Sequence, residues 1–86
     1  MDEEDIAYIL KSKIRFHILI KLKDKNKTPK ELCEDKYYIT HISSNLKDLT
    51  EKGYVICLNP SDRKNKKFTL TKKSKELLKF LNDITK

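Results

Sequence analysis

The sequence predicts a mainly helical α+β fold: a three-helix core, a two-stranded β-hairpin and a final helix. Three observations predict it. Apolar residues recur at helical spacing between Ile6 and Leu22, between Ile42 and Leu49, and between Leu77 and Ile84. Ahead of the last run the period changes, and two β-prone stretches, Tyr54 to Leu58 and Lys67 to Thr71, flank a polar segment. Helix start and stop signals punctuate the boundaries, chiefly Thr28-Pro29-Lys30-Glu31 and the only glycine, Gly53. With 86 residues there is room for one domain, spanning 1–86. Its small core makes association with a second copy an expected source of stability.

The first helical run, residues 3 to 11, carries Ile6, Ala7, Ile9 and Leu10, with carboxylates in its first turn where they suit the helix dipole. Ser12 is placed either to cap a new helix at Lys13 or to lie within a continuous one. Farther on, Ile14, Ile18, Leu19 and Leu22 share one helical face, while Phe16 and Ile20 lie on another, which Ile9 joins if the helix is continuous. Residues 24–27 form a polar connection.

In Thr28-Pro29-Lys30-Glu31, threonine fits the N-cap, proline the first helical position and glutamate the reciprocal position of a capping box. A short helix follows, carrying Leu32 and Cys33 inward and ending near Lys36. Tyr37-Tyr38-Ile39 reads as a turn with apolar anchors. Thr40 opens a third helix whose Ile42, Leu46 and Leu49 form one buried stripe. Gly53 stands where the end of that helix needs a left-handed residue. Residues 28–52 thus have the length and layout of a helix-turn-helix. Beyond them, the hairpin has a charged tip, Asn59 to Asn65, and Tyr54 packs at its junction with the helix. A last helix, about 72–85, places Leu77, Leu78, Leu81 and Ile84 on one stripe and needs the body or a second subunit to cover it.

Composition narrows the function. Twenty basic residues against 13 acidic ones leave a net charge of +7, which points to a polyanionic partner. The apolar run Phe16 to Ile20 is too short to span a bilayer, and the acidic start (Asp2, Glu3, Glu4, Asp5) is the opposite of a targeting peptide. The expectation is a soluble, cytoplasmic protein. Cys33 and Cys57 lie in different elements without partners at ligand spacing, so they read as free thiols and no metal or cofactor is expected. Phosphate loops, paired carboxylates and a nucleophile beside a base are all absent from the pattern, so an enzyme is not expected. His17, in a largely apolar helix, reads as a packed neutral imidazole.

In element order and in three stretches the chain resembles winged helix-turn-helix transcriptional regulators of the MarR and ArsR families. Ser12-Lys13-Ile14-Arg15-Phe16-His17-Ile18-Leu19 is similar to the first core helix of ArsR-like repressors. Ile39 through Leu49, with Lys52-Gly53-Tyr54-Val55, resembles their recognition helix and its exit into the wing. Ser61-Asp62-Arg63-Lys64, followed by Phe68-Thr69-Leu70-Thr71, is similar to the MarR-type wing. Ser74 departs from the glycine usual after that wing. Asp35, in Glu31-Leu32-Cys33-Glu34-Asp35, replaces the second cysteine of an ArsR-type metal motif.

The resemblance implies a sequence-selective regulator that binds double-stranded DNA. A recognition helix needs one core face and one face of short polar or basic residues for the major groove. Thr40, His41, Ser43, Ser44 and Lys47 form the second face here, with Asn45 oblique; turned outward, Asn45 could pair with adenine. No arginine lies on this helix, so modest direct readout and heavier use of backbone and shape are expected. Arg63 to Lys75 holds seven basic residues and no acidic one. Arg63, Lys64, Lys66 and Lys67 are the wing residues expected at the minor groove and its phosphates. A homodimer is expected through Ile9, Phe16, Ile20, Leu77, Leu81 and Ile84, spacing two recognition helices about 34 Å apart. Two other readings are a winged helix that binds a protein partner and a sequence-neutral DNA-coating protein.

Overall fold

Ser12 decides how the N-terminal run is divided. In a computed structural model, which describes residues 3–84, its hydroxyl accepts the N–H of Arg15 and its backbone is extended (φ −126°, ψ 118°), so it caps a second helix. Two helices therefore stand where one was open: α1, Glu3–Leu10, and α2, Lys13–Asp24. The others are α3 at Pro29–Cys33, α4 at Ile39–Glu51 and α5 at Lys72–Ile84, with strands β1 at Val55–Cys57 and β2 at Phe68–Leu70. Residue 85, included in the expected last helix, lies outside the described residues, as do residues 1, 2 and 86 of the expected domain.

The α3 capping box forms in full: Thr28 Oγ1 accepts the Glu31 N–H at 3.3 Å, and the Glu31 carboxylate accepts the Thr28 N–H at 3.0 Å. The helix stops at Cys33, earlier than the expected Lys36, because Glu34 and Asp35 adopt left-handed backbone (φ 48° and 59°). At the far end of α4 the chain closes as a Schellman motif: Gly53 (φ 81°) donates to the Thr50 carbonyl and Tyr54 to the Leu49 carbonyl.

The strands pair antiparallel with Val55 opposite Leu70 and Cys57 opposite Phe68. Lys27 pairs with the other edge of β2 through two backbone hydrogen bonds to Phe68. A pairing one residue long leaves no periodic trace in sequence, which is why residues 24–27 read only as a connection.

The core takes Ile18, Leu19 and Leu22 from α2, Leu32 from α3, Ile42, Leu46 and Leu49 from α4, and Leu77 and Leu78 from α5. Val55, Leu70 and Tyr54 close it from the hairpin side. Two expectations about surfaces are corrected. The dimer face expected from the sequence includes Ile9 and Leu77, but both are wholly buried. With α1 separate from α2, Ile9 turns onto the core instead of extending the Phe16–Ile20 side, and Leu77 docks α5 on the core together with Leu78. Tyr38 and Ile39 do not anchor the turn either; they are 77% and 47% exposed, and Tyr37 alone packs inward.

Ser74, the departure after the wing, is fully buried, and its Oγ donates to the Tyr54 carbonyl at 2.5 Å. The hydroxyl thereby ties the start of α5 to the exit of α4.

Candidate nucleic-acid interface

With Ile42, Leu46 and Leu49 turned into the core, the rest of α4 apart from Asn45 faces outward. Thr40, His41, Ser43, Ser44 and Lys47 are all exposed, as the periodicity predicts. Asn45 is half-buried, and its Nδ2 donates to the His41 carbonyl at 2.8 Å. This back-bonding along the helix occupies the amide, so Asn45 is not turned outward toward a base.

The hairpin tip is built by two side chains. Asn59 Oδ1 accepts the Lys67 N–H at 2.8 Å, and Asn59 Nδ2 donates to the Asn65 carbonyl at 2.8 Å. Asp62 Oδ1 accepts the Lys64 and Asn65 N–H groups at 2.9 and 3.0 Å. Those donors, Asn65 first and then Lys64, hold its carboxyl below the ordinary value of 3.8. Arg63, Lys64, Lys66 and Lys67 stand exposed on this frame. The sequence places Asn59 and Asp62 in the polar turn, and Asp62 in the wing resemblance, but gives neither a bracing role; an Asx-type turn was the available signal.

The structure brings α4 and the hairpin together around one cleft of about 380 Å³. Ser43, Lys47, Thr50 and the acidic Glu51 line it from α4, and Pro60 and Lys66 from the hairpin, with Leu46 and Phe68 also in its lining. Three expected contact residues, Ser43, Lys47 and Lys66, thus border one concave surface. Thr40, His41, Ser44, Arg63, Lys64 and Lys67 lie outside its lining.

A second group, which no local sequence pattern marks, ties α1 to α2, Tyr54 and α5. Tyr8 and Tyr54 stack with ring centres 5.5 Å apart, and the Arg15 guanidinium lies 3.9 Å over Tyr8 while donating to its carbonyl. The Tyr54 hydroxyl donates to Asp5 at 2.5 Å, and Lys73 reaches the same carboxylate at 3.2 Å. The Tyr54 hydrogen bond and then Lys73 hold Asp5 below its ordinary 3.8.

After α1, the helices α2, α3 and α4, with α3 and α4 forming the helix-turn-helix, then a hairpin with a cationic tip and the closing α5, define one architecture. This is a winged helix-turn-helix.

Solved structures share it. The chain superposes on a candidate MarR-family transcriptional regulator from Enterococcus faecalis with a TM-score of 0.80, at 16% identity, covering 99% of this chain and 84% of that one. A candidate transcriptional regulator for arsenical resistance gives 0.69 at 22% identity, over 99% and 84% of the two chains. A transcriptional regulator from Thermotoga maritima gives 0.71 at 23% identity, over 93% and 67%. No protein-family model and no curated protein matches the sequence. At these identities the likeness establishes the winged-helix fold.

His17 Nε2 donates to the Leu32 carbonyl at 2.7 Å, and its ring packs on Tyr37. Cys33 and Cys57 are free and half-buried. Among the described residues no group of His, Cys, Asp or Glu is arranged to hold a metal, and no helix is long and apolar enough to cross a membrane.

Proposed function

We propose that the protein is a non-enzymatic transcriptional regulator that binds double-stranded DNA selectively, with α4 in the major groove and the wing on the adjacent minor groove and phosphates. One observation carries this reading: the polar face of α4 and the cationic wing border a common concave surface, with Ser43, Lys47 and Lys66 on its rim. Thr40, His41 and Ser44 extend the helix side, while Arg63, Lys64 and Lys67 extend the wing side. Lysines neutralise phosphates, and Arg63 at the tip suits a narrow minor groove. The similarity in fold to proteins described as transcriptional regulators supports the same reading.

The regulator acts as a homodimer in this proposal, so that two α4 helices meet successive major grooves. With Ile9 and Leu77 committed to the core and Leu81 packed partly against it, the exposed apolar residues left for a partner are Phe16 and Ile20 on α2 and Ile84 on α5, to which Phe80 adds. Such a protein works in the cytoplasm.

Alanine at Arg63, Lys64 and Lys66 together tests the DNA reading. DNA affinity is expected to collapse while the helical circular dichroism persists. Unchanged affinity would instead favour an interface for a protein partner. Sedimentation at micromolar concentration tests the dimer, and a monomer there contradicts it.

A further inference from the structure

Ile39 is the residue on the recognition helix that neither core packing nor charge explains. It is the first residue of α4, it is 47% exposed, and it is not among the apolar residues packed against the core. Ile39, Ser43 and Lys47 follow one another at four-residue spacing, so they form one row along the helix. The later two border the cleft shared with the wing. An apolar side chain therefore heads a row that is otherwise polar or charged, continuing through Ser43 and Lys47 to Glu51 at the far end of the helix. It does so at the N-terminal end of the helix, the end from which this geometry contacts bases.

A polyanionic duplex offers one apolar target in its major groove, the C5 methyl of thymine. The alternatives on this helix are few. It has no arginine for guanine, and Asn45, the residue type suited to adenine, is held by the His41 carbonyl. Tyr38 is engaged edge-on with His41, ring centres 5.9 Å apart. We infer that Ile39 reads thymine methyl groups and is a specificity-determining residue. This rests on the DNA-binding reading above and adds to it a base and the side chain that recognises it.

The test is selection of a bound sequence from a randomised duplex library, followed by anisotropy titrations on the selected duplex. Each thymine is replaced in turn by deoxyuridine, which lacks only the methyl. At the thymine met by Ile39 the replacement is expected to weaken binding about fourfold, the equivalent of about 0.8 kcal/mol for one buried methyl. Ile39→Ala is expected to bind the thymine duplex more weakly by a similar factor and to lose the difference between thymine and uracil, with an unchanged salt dependence. Ile39→Val, which keeps branched methyls, is expected to retain the difference. The inference is overturned by a selected duplex indifferent to every replacement, by an Ile39→Ala protein that still discriminates, or by a library that shows no enrichment. Retention of no duplex at all is a separate result, because it contradicts DNA binding itself.

Discussion

Replacing Asn59 with alanine separates the shape of the wing from its charge. One Asn59 side chain spans the tip through bonds to the Lys67 N–H and the Asn65 carbonyl, both at 2.8 Å. Each half-exposed bond contributes about 0.5–1 kcal/mol net, so their loss costs the tip about 1–2 kcal/mol. The Leu58–Lys67 backbone bond and the Asp62 turn remain, so the hairpin persists but opens more often. That free energy corresponds to roughly 5- to 30-fold faster local exchange of the Lys67 amide. The same figure bounds the loss of DNA affinity, since binding must restore the order. Global stability is expected to change little, because the tip lies outside the core. Amide exchange by NMR and anisotropy titration measure the two quantities on one sample. Unchanged Lys67 exchange would refute the assignment of Asn59 as the brace of the tip. Accelerated exchange with unchanged affinity would refute the claim that wing order matters for binding.

Three further substitutions probe the fold behind the interface. Leu49→Ala empties a wholly buried position in the last turn of α4 and is expected to cost about 2–5 kcal/mol in denaturant unfolding. Ser74→Ala removes the buried hydroxyl bond to the Tyr54 carbonyl, which Thr71 Oγ1 and N–H also reach, so the expected loss is only about 1 kcal/mol. Asp5 has a folded-state pKa below its ordinary value, so its stabilisation is fully present above pH 3.8 and is lost as pH falls through the folded value. Thermal melts should therefore show Asp5→Asn destabilised at neutral pH, by roughly 1–2 kcal/mol, and converging with the unaltered protein in strong acid. A gap that persists in acid would show that the carboxylate charge is not the cause.

Elements with a periodic or capping signature were legible in the sequence. The Ile42, Leu46 and Leu49 stripe, the Thr28 capping box and the turn at Gly53 each depend on residues close together in the chain, and each formed. What escaped depends on residues far apart. The Lys27 bridge to Phe68 and the joining of Asp5, Tyr54 and Lys73 carry no local pattern. Ile9 and Leu77 were misassigned for the same reason: an apolar face shows that something covers it, but whether the cover is the chain's own core or a second copy is a tertiary fact. At the interface, the outward positions of α4 followed from helical period alone. The engagement of Asn45 by its own helix and the bracing of the wing by Asn59 needed coordinates.

The most direct test of the central claim is fluorescence anisotropy with AT-rich and GC-rich duplexes between roughly 50 and 300 mM salt. The proposed complex puts five cations of each chain against DNA: Lys47, Arg63, Lys64, Lys66 and Lys67. If all meet phosphates, the log–log slope is about −4 to −5 for each protomer bound. Such a slope, with tighter binding to one duplex than the other, is the predicted result. Absence of binding even at the lowest salt would contradict the account.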